Sequence, residues 1–211
     1  MKTVFSLILK VIALTIILFI CFTIAVGVVG IQDGSQTPEQ AGATAMALLA
    51  VCFLNTLVLA HIILRSRWAG WRLIATVFLV FYGVMTFMSQ IESAVFITRL
   101  PAGMLPRLFL MGALIAAPFS VLAVLILGKR KADTVSTELN VRLVMPTSEW
   151  AWKLAVIALA YLILYFTFGY FIAWRNPAVR EYYGGIDEGS FGAVPRNTFW
   201  LIPLQILRAI L

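Results

Sequence analysis

The chain has 211 residues, 62% of them hydrophobic and only 12% charged, whereas a soluble domain holds about 45–50% apolar and about 25% charged residues. With a mean hydropathy of +0.99 and several apolar runs near the ~20 residues that cross a bilayer as a helix, the composition excludes an ordinary soluble domain. The net charge of +7 does not mark a nucleic-acid partner, because Lys and Arg fall in short loops at span ends, where topogenic charges sit beside anionic lipid.

Lys2 and Lys10 precede an uncharged run, Val11 to Ile31, longer than the roughly 7–15 apolar residues of a signal peptide. It reads as a first span, about 8–31, with the N-terminus cytoplasmic. The next loop holds Asp33 and Glu39 and no basic residue, which places it outside. Thr37-Pro38-Glu39-Gln40 has the chemistry of a helix start: Thr37 caps, Pro38 takes a position that needs no N–H, and Gln40 completes a capping box. A second span follows over 38–64. Arg65, Arg67 and Arg72, flanked by Trp68 and Trp71, make a tight inside turn with interfacial anchors. His61, one turn earlier, is read as an interfacial hydrogen-bonding group.

The third span, 73–97, carries Tyr82, Thr86, Ser89, Gln90 and Ser93 at spacings of three and four. As one unbroken α-helix it presents them on a single broad face, with Glu92 at the edge. Glu92 is the only acidic residue inside a long apolar segment. A carboxylate there costs roughly 2.5–3.5 kcal/mol at mid-bilayer, which makes it a functional-site candidate by default. It is expected to face protein or a water-filled pocket and to pair with Arg99 or Arg107 across the following turn.

The fourth span, 108–127, repeats small residues at Gly112, Ala116 and Ser120, a ridge that admits a close backbone, either within the chain or from a partner helix or second copy. Pro118 predicts a kink. Lys129-Arg130-Lys131 returns the chain inside, and the loop to about Ser148 contains a weak alternation, Leu139 to Met145. A fifth span, 150–174, begins at Trp150, Trp152 and Lys153 and ends in aromatic residues read as an interfacial belt. Asn176-Pro177 opens a short helix that Gly184-Gly185 stops. The last apolar stretch, 199–211, is too short to cross, and reads either as the start of an incomplete sixth span or as an interfacial helix with Arg208 snorkelling to the headgroups.

Together these features predict an all-α polytopic transmembrane bundle, five full spans and a short C-terminal hydrophobic helix in a single integral membrane domain, 1–211, in the cell membrane. Ten basic residues on the inside segments against five outside agree with the positive-inside rule. Cys21 and Cys52 both lie in spans, where thiols act as small hydrophobes. With one histidine and no Cys-x-x-Cys, the sequence offers no zinc or bis-histidine haem site and implies no cofactor. Phosphate-loop, metalloprotease, nucleophile-elbow and dinucleotide signatures are missing.

Three functional classes remain. A carrier or lipid-handling protein would use Gln90, Glu92 and Ser93 as an outward-facing pocket. Arg99, Arg107, Arg175 and Arg180 at its rim would attract an anionic solute or lipid headgroup. A non-catalytic assembly or structural subunit would turn the same polar face to a partner. An enzyme would use Glu92 as acid or base, with no second catalytic group in view.

Overall fold

The computed structural model of the chain describes residues 2–31, 37–96, 101–130, 145–182 and 199–210. Arg99, the loop over 131–144, Gly184-Gly185 and Arg196 lie outside the described residues. The described residues form helices α1 (Lys2–Val29), α2 (Pro38–Arg65), α3 (Gly70–Tyr82), α4 (Met88–Phe96), α5 (Met104–Ile126), α6 (Thr147–Phe168), α7 (Pro177–Tyr182) and α8 (Leu201–Ile210), with no strand among them. Single π turns, Gly83–Phe87 and Gly169–Ala173, join α3 to α4 and extend α6. Five helical segments are long and apolar enough to cross a membrane: Val4–Val29, Pro38–Arg65, Gly70–Ala94, Met104–Ile126 and Thr147–Ala173. At ten residues, α8 reaches only about 15 Å.

Local chemistry explains the helix starts. The backbone N–H of Gln40 donates to Thr37 Oγ1 at 3.4 Å, and that of Thr37 donates to Gln40 Oε1 at 3.1 Å. This closes the capping box at α2, with Pro38 in the first turn. Helix α7 begins at Pro177, where the N–H groups of Val179 and Arg180 donate to the Asn176 carbonyl. Helix α5 starts a turn earlier than the charge pattern predicts and continues as helix through Pro118.

The chain divides into two compact units, Met1–Phe87 with Gly103–Ser136 and Met88–Ala102 with Thr137–Leu211. In unit 1, α1 packs on both α2 and α5, and α3 packs on α5. Each helix contributes a stripe at helical spacing: Val11, Leu14, Leu18 and Ala25 from α1; Cys52, Leu59 and Ile63 from α2; Leu73, Val77 and Phe81 from α3; Ile115, Phe119 and Ala123 from α5. Phe81 meets Phe119 with ring centroids 5.6 Å apart. Both cysteines are free thiols.

The small-residue ridge of α5 is used inside this unit. Gly112, Ala116 and Ser120 are buried, and a Cβ at Gly112 would lie 2.0 Å from Thr86 Oγ1. A close approach within the chain is therefore made at Gly112. Two buried hydroxyls return to their own helices, Thr15 to the Val11 carbonyl at 2.9 Å and Ser120 to Ala116 at 2.7 Å.

Unit 2 is built differently. Helices α6 and α8 pack together over a small nucleus, Trp174 and Leu201, flanked by Tyr165, Phe166 and Leu204.

Candidate functional site

The site grows from the second half of the third span. A π turn loops through one residue more than an α turn, so beyond Gly83–Phe87 a plain 3.6-residue count no longer tells which residues share a face. The polar face expected from the sequence is accordingly divided. Thr86 packs on Gly112 in unit 1, while Ser89 and Glu92 belong to unit 2.

There, Glu92 is held on both oxygens. Tyr165 Oη donates to Glu92 Oε1 at 2.5 Å, and Arg208 Nη1 donates to Oε2 at 2.8 Å. The second Arg208 nitrogen, Nη2, donates to Ser89 Oγ at 3.0 Å. One guanidinium thus spans two residues three apart on α4, a fork that a lysine would not reproduce. The side chains of Glu92 and Arg208 are 14% and 19% exposed, so each charge has left most of its water and is neutralised by the other.

Glu92 faces protein, as its cost in hydrocarbon requires, and the cation that pairs with it among the described residues is Arg208. Arg107 lies exposed in unit 1, and Arg99 is outside the described residues. The sequence offers snorkelling of Arg208 as one of two readings of the last apolar stretch, and it reads Tyr165 as part of the aromatic belt that ends the fifth span. The signal for the first was the spacing Leu201, Gln205, Arg208, which puts the two polar residues on the stripe that carries buried Leu201. The signal for the second was that a half-buried tyrosine hydroxyl needs a partner.

The remaining candidates scatter. Ser93 donates its hydroxyl to the Ser89 carbonyl at 3.0 Å, which leaves its donor occupied on its own helix. Gln90 Oε1 is buried with no hydrogen-bond partner among the described residues. Arg180 donates to the Trp174 carbonyl at 2.8 Å, and Arg175 is exposed beside that tryptophan. Gln205, absent from the expected set, is fully buried, and neither of its amide atoms has a partner among the described residues.

Beside the ion pair lies a half-open cleft of about 390 Å³, bounded by Glu92, Tyr165, Phe166, Phe168, Gly169, Ile172, Ala173, Trp174, Val179 and Leu201. Its volume falls in the range of small-ligand pockets, ~300–1,000 Å³. Glu92 is the one ionisable carboxylate in a lining otherwise apolar, aromatic or small. Among the described residues no group of three or more His, Cys, Asp or Glu side chains gathers to hold a metal.

Fold and site define a class, an α-helical transmembrane bundle with a buried ion pair beside an apolar cleft. Comparison with protein-family models, with curated proteins and with solved structures finds no match.

Proposed function

We propose that the protein handles membrane lipid, holding the hydrocarbon tail of an amphiphile in the cleft of unit 2. The observation that carries this reading is the lining: apolar and aromatic walls with a single, already neutralised carboxylate. A soluble anion would find little there to replace its water, whereas a tail exchanges lipid neighbours for equally apolar ones at Phe166, Ile172 and Leu201 and loses no hydration. A headgroup hydroxyl or ammonium donates toward Glu92, whose oxygens keep lone pairs beyond those given to Tyr165 and Arg208. Arg175 at the exposed edge attracts an anionic head. Gln90, Ser93 and Arg180 support the site from its surroundings. We place the protein in the cell membrane with its N-terminus cytoplasmic, an orientation supported by the gathering of basic residues at one end of unit 1.

The test is photo-crosslinking with a phospholipid that carries a diazirine in its tail. Adducts should map to Phe166, Phe168 or Ile172 and fall at least several-fold in Ile172→Trp, which fills the cleft. Adducts spread evenly over the lipid-facing helices, and unaffected by that change, would rule the reading out.

A second reading, a non-catalytic assembly subunit, is favoured by one observation. Only 6% of the most apolar stretch of Thr147–Ala173 is buried, against 22–39% for the other spans. Protection of Ile163 and Leu164 from lipid-phase labelling by a stoichiometric co-purifying chain would favour it.

A further inference from the structure

The opposite kind of pocket occurs in unit 1, where the start of α1 meets the ends of α2 and α5. A cleft of about 220 Å³ is bounded there by Ser6, Leu7, Lys10, Leu64 and Leu127. Ser6 and Lys10 are four residues apart on α1, so hydroxyl and ammonium share one face. The three leucines form the apolar wall.

Lys10 is an unusual residue for its place. Its neighbours Ile8, Leu9 and Ile12 are about half exposed, at 52%, 59% and 48%, which in a transmembrane helix means that they face lipid. An ammonium among them is costly unless it reaches the interface or an anion. Two further turns bring cations to the same end. Arg65 directly follows Leu64, and Lys129 lies two residues after Leu127. The turns are tied together, since Lys129 Nζ donates to the Ser66 carbonyl at 3.2 Å and Gly70 N–H donates to the Lys129 carbonyl at 2.8 Å. The one acidic residue among the described residues of unit 1, Glu39, sits in the first turn of α2, at the other end of that helix.

We propose that this cleft is a binding site for an anionic phospholipid. The phosphate is held by Lys10 and Ser6, with Arg65 and Lys129 setting the local potential, and the glycerol and upper acyl chain lie along Leu7, Leu64 and Leu127. The charge complementarity selects an anion, and the leucine wall at the end of a membrane helix selects a lipid over free phosphate. The site is separate from the cleft of unit 2 and does not depend on the function proposed for it.

Native mass spectrometry of the full chain in detergent tests the proposal, with phosphatidylglycerol and phosphatidylcholine of matched chains as probes. The wild type should retain phosphatidylglycerol over phosphatidylcholine by about tenfold. Lys10→Gln should lose most of that preference, Lys10→Arg should keep it, and Lys153→Gln in unit 2, where the lysine pairs with Glu149, should leave it unchanged. Should Lys10→Gln fail to fold, Leu7→Trp, which fills the cleft and keeps every charge, should give the same loss. Equal retention of the two lipids by the wild type, an unchanged preference in both Lys10→Gln and Leu7→Trp, or displacement of the lipid by millimolar inorganic phosphate would each overturn it.

Discussion

The two units of this chain solve the same problem with different chemistry. Unit 1 has a continuous apolar core drawn from four helices, a small residue where backbones approach, and the buried hydroxyls of Thr15 and Ser120 closed on their own helices. Among its described residues, unit 2 has two buried residues at its nucleus and is tied across helices by a carboxylate, a guanidinium and a phenol. Lipid tails are as apolar as leucine, so burying an apolar side chain in a membrane yields little of the gain it brings in water. Packing must then be close to hold helices together, which unit 1 achieves. Where packing is sparse, a charge pair that is costly to break fixes the arrangement, and unit 2 relies on that.

This contrast predicts which changes are most damaging in each unit. The largest effect belongs to Glu92→Gln, which leaves the Arg208 guanidinium largely desolvated without its counter-charge. Breaking a buried pair from one side costs about 3–5 kcal/mol, and with both side chains slightly exposed the lower end is expected. Unfolding in mixed micelles, followed by circular dichroism, reads it. A loss below ~1 kcal/mol would mean that unit 2 is held by something other than this cluster.

Gly112→Ala in unit 1 comes next. The new methyl group would overlap Thr86, and overpacking of this kind costs about 1–3 kcal/mol. Adding Thr86→Ala should restore part of the loss, since the Thr86 Cβ would still lie 2.6 Å from the new methyl, and no recovery would place the strain elsewhere than the contact of the Gly83–Phe87 turn with α5. The smallest effect, of opposite sign, is expected for Gln205→Met. Removing a buried amide without partners while keeping its length should be neutral or stabilise by up to about 1 kcal/mol. A clear destabilisation would show that the amide is hydrogen-bonded in the folded protein.

What was legible in the sequence follows the same division. The spans, the capping box at Thr37 and Gln40 and the start of α7 were readable because each depends on neighbours a few residues away. The ridge on α5 was readable as a close contact, though not that Thr86 fills it. The site was half legible. Glu92 announced itself by its cost, but its cation lies 116 residues downstream, and nothing local distinguishes Arg208 from a snorkelling arginine. The π turn at Gly83–Phe87 hid the rest, since helical periodicity counted across it assigns Thr86 and Ser89 to one face when they serve different units.

The central claim is that Glu92 and Arg208 hold unit 2 together as a pair, and a double-mutant cycle measures it directly. Glu92→Gln, Arg208→Gln and their combination would be compared by unfolding in one micelle system, with Arg107→Gln as the control partner. The account predicts a coupling of about 2 kcal/mol between Glu92 and Arg208 and additivity within ~0.5 kcal/mol between Glu92 and Arg107. Additive losses for Glu92 and Arg208, or a larger coupling to Arg107, would contradict it.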